Sequence, residues 1–211
     1  MGRRFSWLGA ASALASIVLI FVGFGIHGSF KAQEAKAEVA QYYASHADSA
    51  RVWTGNYVEF LGYLMFAIFV AWLWSIMRNE DHEDAWARAA VLVGGTIYLA
   101  LAATSFAAFD AALRRGGEIG PDAAAALSEL GLFTYYLSWP AAAVAMMGAA
   151  VGVGRSRILP RWLAWAAAAV AVILVAAAPL RLVAIDSLLQ LWGIAAGVAW
   201  ARRARRVSPR V

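Results

Sequence analysis

Apolar residues run along this chain in six long blocks separated by short polar stretches, and none of the blocks alternates strictly enough to be a half-buried strand. The blocks lie near residues 7–29, 54–77, 89–113, 130–153, 159–178 and 182–201. A hydrocarbon core about 30 Å thick is crossed by about 20 helical residues, so each block predicts a membrane-spanning helix. Hydrocarbon offers no partner to an open backbone, and alanine-rich runs lack the alternation of barrel strands. The expected fold is all-α, a single membrane domain over 1–211 built as a six-helix bundle.

The polar stretches between the blocks carry their own signals. Residues 31–52 read KAQEAKAEVAQYYASHADSARV, with no Gly or Pro, and Val39, Tyr42, Tyr43 and His46 recur at three- to four-residue spacing. That spacing fits an interfacial helix, with an ordinary solvated linker as the alternative. In RRGGEIGPD, residues 114–122, Gly116, Gly117 and Gly120 end the third helix and Pro121 suits the first position of the next. A helix unbroken from Pro121 to Gly152 would be about 48 Å long and must project, tilt, or break at Gly131 or Pro140. Pro179, Leu180 and Arg181 turn the chain between the last two spans. The acidic run NEDHED, residues 79–84, reads as a solvated loop in which His82 titrates freely. Absence of an internal repeat gives no support to an inverted-repeat transporter.

Composition agrees: 63% of the 211 residues are hydrophobic and 15% charged, as in a polytopic membrane protein. Charge then sets orientation. With the N-terminus inside, Arg3, Arg4, Arg78, Arg88, Arg155, Arg157, Arg161, Arg202, Arg203, Arg205, Arg206 and Arg210 gather on the cytoplasmic side, twice as many basic residues as fall outside. The expectation is N-in and C-in. These clusters are topology signals between apolar runs, so the formal charge of +5 does not point to nucleic acid. Arginine far outnumbers lysine, found only at Lys31 and Lys36, and alanine abounds, which suggests a GC-rich bacterial genome and hence a plasma membrane. The run from Trp7 to Ile26 is too long for a usual signal-peptide core, which favours a retained anchor over a cleaved one despite Ala35-Lys36-Ala37. Zero cysteines exclude disulfides and thiolate chemistry.

Gly148 and Gly152, and Gly193 and Gly197, have the GxxxG spacing for close helix packing within the bundle, and Ala166 to Ala169 smooth the fifth span. Trp53, Trp72, Trp74, Trp86, Trp162, Trp165 and Trp200 are expected at membrane interfaces.

Candidate chemistry rests on ionisable residues at one membrane face. Burying a charge in hydrocarbon costs about 2.5–3.5 kcal/mol on insertion scales, so such groups pair, face water or bind something. Asn56, Glu59 and Tyr63 share one helical face. Asp110 precedes Arg114 by one turn and is expected to pair with it, while Glu129 sits at the start of the fourth span and repeats two turns later with Tyr136. Asp186, Ser187 and Gln190 open the sixth span, with Arg181 just before. Two readings stand together: a bridge from Arg181 to Asp186 or Glu59 that locks the bundle, or a ligand pocket of Glu59, Arg181, Asp186, His27, Tyr63 and Gln190. His27, flanked by Gly25 and Gly28, is the one histidine within a span. With His46 and Glu59 it lacks HxxxH or HExxH spacing, so no metal or other cofactor is expected. No catalytic motif is present, and Thr104 and Ser105 are expected to return hydrogen bonds to their own helix.

The stretch VAQYYASHADSAR at 39–51, the opening WTGNYVEFLGYL at 53–64 and the turn ILPRWLAW at 158–165 resemble six-helix bacterial membrane proteins of a domain-of-unknown-function group common in actinobacteria. Ile158, Leu159, Pro160 and Arg161 form the most recognisable part, an apolar-Pro-basic entry to the fifth helix. The resemblance covers nearly the whole chain and implies a fold, without an activity or functional residues. The functional expectation is therefore a non-enzymatic module in the bilayer whose outward-facing polar pocket binds a small ligand, a lipid headgroup or a partner subunit. The alternatives are a small transporter or permease subunit, and a membrane enzyme with an outer carboxylate or metal site.

Overall fold

In the structure, a computed structural model, residues 7–28, 35–47, 49–77, 85–181 and 185–207 are described, with side chains as far as residue 203. Arg3, Arg4, Lys31, Arg78, Arg210 and the acidic run with His82 lie outside the described residues. The rest is all-helical: α1 (Leu8–His27), α2 (Lys36–His46), α3 (Ala50–Met77), α4 (Ala85–Arg114), α5 (Pro121–Ser156), α6 (Arg161–Leu180) and α7 (Ser187–Val207). Five of them, α1, α3, α4, α5 and α6, are long and apolar enough to cross a membrane, which makes this a multi-pass membrane protein. In α7 the apolar stretch is shorter, because Gln190 and Arg202, Arg203, Arg205 and Arg206 fall within its 21 residues.

Helix ends follow the residues that cannot continue them. Pro121 occupies the first turn of α5, where its missing N–H costs nothing, and Arg157 closes that helix in the left-handed conformation with φ 54°. Pro140 lies inside α5 without ending it. The helix runs for 36 residues, about 54 Å, so of the outcomes open to an overlong helix a break at Gly131 or Pro140 does not occur. Together α4 and α5 form a long hairpin.

The turn end of this hairpin is where α2 docks. Val39 and Tyr43 of α2 are buried with Val52, Ala112, Leu113 and Ala124 in a small core of their own. The Tyr43 hydroxyl is 2.7 Å from Ser128 Oγ on α5, and burial pushes its pKa up to about 12. Segment 31–52 thus contains a packed helix, not a plain linker. An exposed Lys36–Asp122 pair, 2.7 Å apart, also joins α2 to α5.

Small residues set the helix spacings, since lipid tails are as apolar as leucine and association depends on close packing. A Cβ on Gly148 would meet the Ala87 carbonyl oxygen, one on Gly152 the Met77 side chain, and one on Gly197 the backbone of Ala10. Both GxxxG pairs therefore pack inside the bundle. At the end of the bundle away from α2 the interior is packed with apolar side chains: Phe69, Trp72, Leu73, Met77, Val153, Leu163 and Trp192 belong to one continuous core. Trp72, expected at an interface, is buried there instead, its ring 5.7 Å from Phe69 and 6.4 Å from Trp200. Trp86, Trp162 and Trp165 remain exposed on the outside of the bundle.

Candidate functional site: a carboxylate and tyrosine cluster

The buried carboxylates and His27 collect at the α2 end. Helices α1 and α3 cross in extremely close contact there, because each places a glycine against the other. A Cβ on Gly23 would lie 2.5 Å from the Glu59 nitrogen, and one on Gly55 would lie 2.7 Å from the His27 nitrogen and Cβ. One turn beyond each glycine stands a polar side chain, and the two meet: His27 Nε2 is 2.5 Å from Glu59 Oε2. The pair is buried, with side chains 1% and 11% exposed. Gly25 and Gly28, which flank His27 in the sequence, face open space and play no part in the approach. Gly23 and Gly55 are the glycines that matter, and only the crossing identifies them.

A second carboxylate stands across from this pair. Asp186 precedes α7, and its backbone carbonyl accepts the Leu189 N–H at 2.9 Å. Its side chain accepts from Tyr135 on α5 at 2.9 Å and, at a longer 3.5 Å, from Tyr98 on α4. Asp186, Tyr98 and Gln190 are each 5% exposed or less. A third link joins α3 to α4, where Asn56 Nδ2 donates to Asp110 Oδ1 at 2.8 Å.

Two cavities flank Glu59. One, of about 100 Å³, is lined by Phe24, Glu59, Tyr63, Tyr135, Asp186 and Gln190 among others. The other, of about 170 Å³, shares Phe24, Glu59, Tyr63 and Tyr135 and adds His27 and Ser105. Of the six residues expected to make a pocket, the structure thus places Glu59, Asp186, His27, Tyr63 and Gln190 around these two cavities. Arg181 is not among them. It sits beyond α6 in the left-handed conformation, φ 51°, with an exposed side chain, and lines a separate cavity of about 310 Å³ with Glu129 and Tyr136. Neither expected Arg181 bridge forms: Glu59 takes His27 and Asp186 takes tyrosines, while the Arg181 carbonyl accepts the Tyr136 hydroxyl at 3.2 Å.

Other expectations resolve similarly. Asp110 bonds Asn56, while the Arg114 guanidinium lies 4.9 Å from the centroid of the Trp53 ring. Thr104 returns its hydroxyl to Ala100 at 2.9 Å, but Ser105 faces the cavity. His46 stacks on Tyr42 at 4.4 Å, within α2, and does not join His27. Tyr98 and Tyr135 carry the site and were missed by sequence reasoning. Their signal was a phenol in the middle of an apolar span, which needs a partner for its hydroxyl.

Fold and site together define a multi-pass, all-helical membrane protein with a buried carboxylate and tyrosine cluster near one end. Comparison with protein-family models, with curated proteins and with solved structures gives no match.

Proposed function

We propose that this chain is a six-span module of a bacterial plasma membrane, N-in and C-in, that binds a small organic cation around Glu59 without transforming it. The reading is carried by one observation: Glu59 and Asp186 line the same cavity with aromatic rings, and no lysine, arginine or histidine is among its lining residues. Carboxylates beside the aromatic rings of Phe24, Tyr63 and Tyr135 are the chemistry that recognises an ammonium group. An ionised carboxylate offers about four acceptor positions, so the bonds to His27, Tyr98 and Tyr135 leave capacity on both acids. The sizes suit a ligand of a few heavy atoms, since a cavity of about 150 Å³ accommodates benzene.

Support for the sixth span comes from α7 itself, which packs along α1 through Gly193 and Gly197 and buries Trp192 in the core. The basic residues at its end, with Arg155, Arg157 and Arg161, support the cytoplasmic placement of that face.

Calorimetry on the purified protein with methylammonium, tetramethylammonium and the neutral isostere neopentane tests the reading. Binding of a cation, lost in Glu59→Gln and Asp186→Asn and kept in Arg181→Ala, is expected. Equal binding of the neutral isostere, or binding indifferent to both acids, overturns it. Flux of the cation into proteoliposomes that vanishes in Glu59→Gln would replace a binding module by a transporter.

A further inference from the structure

A separate cavity forms a groove of about 700 Å³ on the outside of the bundle between the start of α6 and the end of α7. Its two parts differ in chemistry. At the mouth stand Arg157, Arg202 and Arg203, with Trp162 beside them, and no carboxylate is among the lining residues. Along α7 the wall is Leu191, Ile194, Ala195 and Val198, at positions i, i+3, i+4 and i+7, so one apolar stripe runs from the arginines toward the middle of the helix.

We infer that this groove binds an anionic phospholipid, its phosphate held by the arginines and one acyl chain laid along the α7 stripe. Charge complementarity selects the headgroup: three guanidiniums at one mouth attract a phosphate, and a planar fork donates to it in pairs. Arg203 donates one N–H to the Arg157 carbonyl, which fixes the side chain at the mouth while leaving further donors on the same group. Trp162 is 57% exposed, an amphipathic ring suited to the headgroup level. A free phosphate accounts for the arginines but leaves the stripe and most of the volume unused, whereas a lipid uses both. The inference stands apart from the cation site, since the two share no residue.

The test is native mass spectrometry of the full chain in neutral detergent, titrated with phosphatidylglycerol and with phosphatidylcholine of identical chains. The wild type is expected to hold phosphatidylglycerol in clear preference. Each arginine among Arg157→Gln, Arg202→Gln and Arg203→Gln should lower that preference about fivefold, because a basic residue near the surface contributes about 1 kcal/mol. All three side chains are exposed, so the variants should fold as the wild type does. Val198→Trp, which fills the wall and keeps every arginine, should also release the lipid. Equal retention of the two lipids, indifference to the arginines, or displacement of the lipid by glycerol phosphate at equal concentration would each overturn the assignment.

Discussion

The two ends of the bundle are held by different means. Away from α2, aromatic rings and small residues fill the interior, with Phe69, Trp72 and Trp192 in ring contact and Trp192 Nε1 donating to the Leu163 carbonyl at 2.9 Å. Near α2, a few directed bonds span the helices, His27 to Glu59, Asn56 to Asp110, Tyr135 to Asp186, and voids remain between them. Filled packing gathers many small dispersion gains and leaves no room for a guest. A polar cluster is tied at discrete points and can stay open, because its bonds fix the helices without filling the space. The interior of the bundle is thus filled at one end and keeps cavities at the other.

That contrast can be broken from either side. Trp72→Ala should have the largest effect on stability, about 3–5 kcal/mol from the cavity it opens, read as a lower unfolding midpoint in detergent with cation binding at Glu59 retained. Gly55→Ala should cost about 1–3 kcal/mol, because the new methyl group strikes His27 and must push α1 away from α3. Unlike the tryptophan change it should also abolish cation binding, by parting the His27–Glu59 pair. Tyr135→Phe should cost about 1.5–3 kcal/mol if Asp186 is ionised, the range for a hydrogen bond to a charged group, and weaken the cation site in calorimetry. Lys36→Ala removes a fully exposed partner of Asp122 and should leave the unfolding midpoint where it was. If Trp72→Ala and Tyr135→Phe impaired binding alike, the division between the ends would be lost.

Much of this was legible in the chain. Five of the six apolar runs are helices long and apolar enough to span, and the glycines and proline at 116–121 marked the α4–α5 turn. Both GxxxG pairs also read correctly as internal contacts. The site was legible only as a set of candidates. Five of its residues were named in advance, yet the partner chosen for the acids was Arg181, a sequence neighbour of Asp186 alone, while the partners that hold them are His27, Tyr98 and Tyr135.

The reason lies in what helical periodicity contains. Spacing determines which residues of one helix share a face, as with Asn56, Glu59 and Tyr63, and length and charge determine that the helix spans a bilayer. Periodicity leaves open which neighbour that face meets, and at what depth. The crossing of α1 on α3 at Gly23 and Gly55 decided that Glu59 meets His27, and the left-handed turn at Arg181 left its side chain outside the cluster. Those are distances between residues 32 positions apart and more, and they exist only once the helices have packed.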